Sequence, residues 1–226
     1  MARGHVTYAD CEDAARHLHR LYLLTHARHV DPVGLAGLLR AELRADVPRG
    51  CRGVGLLDTP LRLYWGGDAG DLAHEIMHVA LESIGIPPVH HPDKLVQLAS
   101  SAIDLPHAAM RAAVGRVGFD AWRLMGEFPG VTPSRVFVRA AFAADGVAVI
   151  HRARRRRAYA PDGVDVPTEL PHERVLLGAV RASGRPCFHG GVGAWPFGDG
   201  GDDPGGVVLL ASLPITPTKT GVTSAM

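Results

Sequence analysis

Asp71-Leu72-Ala73-His74-Glu75-Ile76-Met77-His78-Val79-Ala80-Leu81-Glu82-Ser83-Ile84 decides the reading of this chain. Leu72, Ile76, Met77, Val79, Leu81 and Ile84 leave no side of the segment polar, so it predicts an interior helix. Gly85 and Pro87-Pro88 stop it. His74 and His78 stand four residues apart on one helix face, where two imidazoles can reach a single metal ion. Glu75 beside them can take a proton from metal-bound water without being a ligand itself. Zinc lowers the pKa of such a water to about 7, so a glutamate suffices as base and the nucleophile suits amide hydrolysis. The competing reading is two solvated or internally bonded histidines and a surface glutamate. An all-apolar helix argues against it, because burying three polar side chains without partners is costly.

A catalytic zinc needs a third protein ligand and one open position. The extended pattern HExxHxxGxxH fails, since Leu81 and Ile84 stand where its glycine and third histidine belong. Glu82 lies eight residues beyond His74, about 12 Å along the axis. The next glutamate is Glu127. The third ligand is therefore expected among His90, His91, Asp93, Asp104 and His107. Asp93 opens the following helix, from which an antiparallel neighbour can face the zinc helix. His90 and His91, in a proline-flanked loop, are its main rivals. Tyr64 and His107 are candidates for a second oxyanion donor.

Outward from this helix, Tyr8 to Val30 and Val33 to Arg44 carry helical apolar spacing on either side of Asp31-Pro32. Gly53 to Leu57 and Leu61 to Trp65 predict a small hairpin around Asp58-Thr59-Pro60. Further helices are expected over Asp93 to Ile103, His107 to Val117, Phe119 to Phe128 and Ser134 to Ala144, with Thr132 as N-cap and Pro133 opening the last. From Gly146 the pattern turns to β, with strands expected at Val147–Ile150, Arg174–Ala182 and Val207–Ser212. Gly190 to Gly206 is too glycine-rich for a regular element and is expected to be a loop. The fold class expected is α+β: a helical core with a small β-sheet to about residue 145, then a β-rich extension. The corresponding division is a helical domain over 1–145, including helix-turn-helix-like helices at about 107–145, and an extension over 146–226.

Composition bounds the rest. The chain has 226 residues, 46% hydrophobic and 21% charged, enough to bury a core without disulfide staples. Its net charge of +1 offers no global field for nucleic acid or anionic membrane. Cys11, Cys51 and Cys187 are far apart and odd in number, as isolated thiols in a reducing compartment are. The first ten residues hold no signal-like apolar core and no run has the ~18 apolar residues of a membrane span, so the expected location is cytoplasmic. Five arginines between Arg152 and Arg157 could grip phosphates or an acidic partner. Charges blunting an exposed sheet edge explain them better. The Pro129-Gly130-Val131-Thr132-Pro133 turn imitates a helix-turn-helix, a connection that ordinary helix packing also uses. Cys187-Phe188-His189 lacks a second metal-ligand pair and is expected in the core of the extension.

The chain from about Val30 to about Gly146 resembles the ImmA/IrrE metallopeptidases, and the resemblance implies that 1–145 is a metallopeptidase domain with a minimal zincin-like helical core. Asp31-Pro32-Val33-Gly34-Leu35-Ala36 is similar to that family's opening helix, and Leu72-Ala73-His74-Glu75-Ile76-Met77-His78 to its zinc helix. Asp93-Lys94-Leu95-Val96-Gln97-Leu98-Ala99 through Ile103-Asp104-Leu105-Pro106 resembles its ExxAN-x-FA…LLMP segment, and Gly130-Val131-Thr132-Pro133-Ser134 its FgVS turn. The resemblance implies zinc held by His74, His78 and Asp93, with Glu75 as catalytic base. Asp93 then replaces the family's glutamate with a side chain one methylene shorter. The resemblance further implies an endopeptidase whose protein substrate is a helix-turn-helix transcriptional repressor, cut to derepress stress-response or mobile-element genes. His₂-carboxylate sites accept several divalent ions, so Mn²⁺ is an alternative to Zn²⁺. Two other readings use the same residues: a non-catalytic repressor- or DNA-binding regulator on a zincin scaffold, and a structural zinc site closed by His90 or His91. The extension is expected to gate the cleft or bind a partner.

Overall fold

The computed structural model describes residues 6–45, 61–152, 155–161, 164–170, 172–198 and 206–212. The architecture is mixed α+β, with a two-stranded parallel sheet and a five-stranded antiparallel sheet. The chain divides into two compact units, Met1–Arg116 and Val117–Met226, so the change to β character at Gly146 falls inside the second.

In the first unit, α1 (Tyr8–Leu21) begins at a capping box. The Thr7 hydroxyl accepts from the Asp10 N–H and the Asp10 carboxylate accepts from the Thr7 N–H. Cys11, Ala14, Ala15 and Leu18 form its buried stripe. The helix expected to run to Val30 ends at Leu21, because its apolar stripe does not continue: Leu21 and Leu23 face solvent, and Leu23 takes a positive φ of 58°. Asp31 caps α2 (Pro32–Leu38) through the N–H groups of Val33 and Gly34. The expected continuation of this helix to Arg44 is overturned. Arg40 turns the chain at φ 55°, and Glu42–Arg44 becomes strand β1, pairing in parallel with β2 (Arg62–Tyr64). Leu61 to Trp65 thus has a parallel partner from earlier in the chain. The other arm of the expected hairpin, Gly53 to Leu57, lies outside the described residues, as does Cys51.

Asp68 caps α3 (Ala69–Ser83), its carboxylate accepting from the N–H groups of Gly70 and Asp71. Leu72 through His78, with Ala80 and Leu81, are all buried, which is the interior helix that the apolar pattern predicts. α3 packs against α1, α2 and β2 and against the next two α-helices of the chain. Gly85 at φ 83° reverses the chain, as a glycine can without steric cost. A short 3₁₀ turn, Pro88–His90, leads to α4 (Asp93–Ala99) and α5 (Ser101–Asp104). The single helix expected over Asp93–Ile103 is thus divided at Ser100, whose hydroxyl bonds back to the Gln97 carbonyl. α6 (His107–Val117) closes the unit.

In the second unit, α7 (Ala121–Glu127) is capped by Asp120, and α8 (Pro133–Ala143) opens on Pro133 after Thr132. The Thr132 side chain makes no cap bond. Strands β3 (Gly146–Arg152), β4 (Arg155–Tyr159), β5 (Cys187–His189), β6 (Val192–Phe197) and β7 (Gly206–Ser212) form a sheet in the order β4-β3-β7-β6-β5. The strand expected over Arg174–Ala182 is instead helix α9 (Glu173–Ser183). Leu176, Leu177 and Val180 fall on one helical face and pack on Val147, Val149, Ala194 and Leu209 of the sheet. On the opposite face the ring of Phe137 in α8 meets Phe197 edge-on, centroids 5.3 Å apart.

The Gly190–Gly206 stretch also departs from expectation, since β6 lies within it. A Cβ at Gly193 would run into the Trp195 indole, and one at Gly206 would stand 2.9 Å from the Phe197 ring. The glycines here are flat places in the sheet over which aromatic rings lie, so they build strand rather than break it.

Candidate metal centre

His74 and His78 are buried on α3, one turn apart, with ring centroids 4.8 Å apart and planes at 86°. Their Nε2 atoms converge to 3.2 Å. Asp93, the first residue of α4, brings Oδ1 to 3.2 Å from His74 Nε2. One ligand atom from each of the three lies within 4.8 Å of the others, a grouping among the described residues that could hold a metal ion. A tetrahedral ion with bonds of about 2.0–2.1 Å holds neighbouring donor atoms roughly 3.3 Å apart, so the spacing fits one ion. A direct hydrogen bond explains it less well: a single ring nitrogen, His74 Nε2, faces both His78 Nε2 and the carboxylate, and it carries at most one proton.

The donors differ in access. The His74 side chain is 7% exposed and that of Asp93 is 77% exposed, so the group is walled by α3 on one side and open to water on the other. An arrangement of two imidazole nitrogens and one carboxylate, with a solvent-facing side, matches the donor set of a catalytic zinc site. Glu75 is buried on α3 between the two histidines in sequence.

The remaining candidates lie elsewhere. His90 is exposed on the 3₁₀ turn. Asp104 is buried on α5, and its backbone carbonyl accepts from the Val30 N–H. His107 heads α6, 3.8 Å from Glu12, and lines a cleft with Arg16, His19 and Arg20. Tyr64 packs its ring beside Gly66 at the end of β2. His91 is near the centre but on its far side. Its Nδ1 is 3.1 Å from Nδ1 of His78, the nitrogen turned away from His74, and its Nε2 is 2.9 Å from the Ile86 carbonyl oxygen. The sequence marked His91 only as a rival ligand; its contact with the outer edge of the His78 ring carries no spacing signal.

The arginine run resolves into an edge strand. β4 lies at the margin of the sheet, with Arg155 and Arg157 exposed and Arg156 turned inward. Arg156 grips Glu173 of α9 through Nε at 2.8 Å and its terminal nitrogen at 3.1 Å. His151 Nε2 at 2.7 Å and the Leu170 N–H at 2.7 Å complete the set around the same carboxylate. Burial alone would raise the Glu173 pKa, but the bonds from His151, Arg156 and Leu170 and the Arg156 charge outweigh it and bring it to about 2. The helix-turn-helix imitation resolves as packing: Val136 to Ala141 of α8 are buried, against β3 and β7. Cys187-Phe188-His189 is not core. It forms strand β5 at the sheet's other edge, with Phe188 and His189 exposed, because it has a neighbour on one side only.

No family model matches the chain, and no curated protein matches it. A solved structure described as a Mycobacterium tuberculosis transcriptional regulator is similar over 88% of this chain and 75% of its own, with a TM-score of 0.51 and 15% identity. At that identity the likeness is one of fold, and the resemblance to the ImmA/IrrE metallopeptidases rests on the motif residues themselves.

Proposed function

We propose that the chain is a zinc-dependent endopeptidase, with His74, His78 and Asp93 as ligands and Glu75 as general base. The observation that carries this reading is the approach of His78 Nε2 and an Asp93 oxygen to 3.2 Å from His74 Nε2, with all three donors within 4.8 Å of one another on a water-facing wall. Zinc, or manganese in its place, supplies Lewis acidity toward a carbonyl and acidifies water. The residues do the rest. α3 fixes both imidazoles on one rigid face, and α4 brings the carboxylate that offsets the ion's charge. Glu75 takes a proton from the attacking water and returns it to the leaving amine. The substrate class, a helix-turn-helix transcriptional repressor, comes from the family resemblance alone.

A second reading is favoured by one observation: the structural neighbour is a transcriptional regulator. On that reading the scaffold binds a repressor or DNA and cuts nothing. The two separate at Glu75 and Asp93. Elemental analysis should find about one zinc per wild-type chain and little in Asp93→Ala. Glu75→Gln should keep the zinc and lose cleavage by 10²-fold or more. A Glu75→Gln chain that regulates as wild type would place the function in binding. A wild-type chain that takes up no metal would remove the peptidase reading.

A further inference from the structure

We infer that His91 is a positioning residue for the metal centre: it accepts the Nδ1–H of His78 and so turns the lone pair of His78 Nε2 toward the ion. The inference rests on the metal reading above and assigns His91 a role beyond it.

Proton accounting along the chain of contacts gives the direction. The Ile86 carbonyl can only accept, so His91 Nε2, 2.9 Å away, carries a proton and donates it. In a neutral His91 the remaining nitrogen, Nδ1, is then an acceptor. It lies 3.1 Å from His78 Nδ1, which must donate. A neutral His78 protonated at Nδ1 has its lone pair on Nε2, the atom that converges with His74 Nε2. The ring geometry agrees. The two rings are tilted by only 16°, and their centroids, 5.3 Å apart, stand just 2.2 Å further apart than the two nitrogens. The rings therefore lie nearly edge to edge, with each Nδ1 aimed at the other in the ring plane.

The anchor of this chain is fixed by the helix it serves. The Ile86 N–H bonds to the Leu81 carbonyl in the last turn of α3, and Gly85 at φ 83° sets the reversal between them. The His91 N–H bonds to the Pro88 carbonyl, holding the backbone against the 3₁₀ turn. Ile86 to Asp93 thus supplies two things to α3: the carboxylate on the open side of the site and the proton acceptor behind it. Outer partners that hold a ligating histidine in one tautomer typically change metal affinity 10- to 100-fold when removed.

The test is zinc competition against a chromophoric chelator, on the full chain, for wild type, His91→Leu and His91→Asn. Leucine removes the acceptor, whereas asparagine places a carbonyl oxygen near the position of Nδ1. The expected result is a zinc Kd raised about 10- to 100-fold in His91→Leu and within a few-fold of wild type in His91→Asn. Wild-type affinity in His91→Leu would overturn the inference, and so would equal weakening in both variants, which would make His91 a packing residue. A wild-type chain that binds no zinc would instead remove the metal reading. Should His91→Leu fail to fold, long-range ¹H–¹⁵N spectra of histidine-labelled, metal-free wild type at pH 8 decide: His78 is expected as the Nδ1–H form and His91 as the Nε2–H form. The opposite tautomer at His78 would overturn the proposal.

Discussion

At the scale of single residues, two buried carboxylate and imidazole groups show how environment sets chemistry. Glu173 is surrounded by four donors from His151, Arg156 and Leu170, and its pKa falls from 4.5 to about 2. A carboxyl whose folded pKa is depressed contributes stability above its unfolded value and loses it as pH falls through the folded one. Replacing Glu173 by alanine leaves Arg156 half-buried without its partner, and should cost about 3–5 kcal/mol in urea unfolding at pH 7. At pH 2 the gap between variant and wild type should shrink, because half of the wild-type carboxylates are then protonated. His19 shows the complementary case. Burial lowers its pKa, against the opposing pull of the Ile103 carbonyl, which its Nε2–H reaches at 2.8 Å, and of the Asp104 charge.

At the scale of elements, the helix that carries His74 and His78 depends on how it starts. Asp68 satisfies the N–H groups of Gly70 and Asp71, which no helical carbonyl can reach. Asp68→Ala should destabilise the chain by about 1 kcal/mol, read by chemical denaturation. β6 depends on what is missing from a side chain. Gly193 leaves room for the Trp195 indole, and an added methyl would meet the ring. Gly193→Ala should therefore cost about 1–3 kcal/mol and change the near-ultraviolet circular dichroism of the tryptophan. Combining it with Trp195→Leu should cost less than the sum of the two single changes, since the clash goes with the ring. The helix α9 makes the same point about context. Val175-Leu176-Leu177 reads as strand by composition, but Leu176, Leu177 and Val180 share a face and the sheet offers that face a partner.

At the scale of the whole molecule, the two groups lie in different units, Met1–Arg116 and Val117–Met226, and respond to acid in different windows. His19 binds its proton less readily folded than unfolded, so its contribution is present above the ordinary histidine value of 6.5 and is lost as pH falls below it. The Glu173 contribution is present above 4.5 and is lost as pH falls toward about 2. Hydrogen exchange followed residue by residue should therefore show the protection of α1 and α5 weakening first, as pH falls below 6.5. The protection of β3 and α9 should weaken in proportion only below 4.5. Simultaneous weakening of both sets at the higher pH would contradict these assignments. No helix among the described residues is long and apolar enough to cross a membrane.

The interior helix and its His74-Glu75-x-x-His78 pattern were legible because both follow from spacing within one element, where 3.6 residues per turn fixes which side chains share a face. The arginine run was legible as an edge for a related reason: charge that dense has to meet solvent on at least one side. β1 was not legible, since Glu42-Leu43-Arg44 is too short to show a period and becomes strand only by pairing with Arg62–Tyr64. The third member of the candidate metal group could be narrowed by sequence to five residues but not chosen by spacing. Which of them reaches His74 depends on the reversal at Gly85 and the 3₁₀ turn at Pro88–His90, and these set the approach of one helix to another. The same turn puts Asp93 before the histidines and His91 behind them. Sequence determined the residues able to hold a metal, because periodicity is local. Tertiary structure decided which of them meet, because that depends on how distant segments pack.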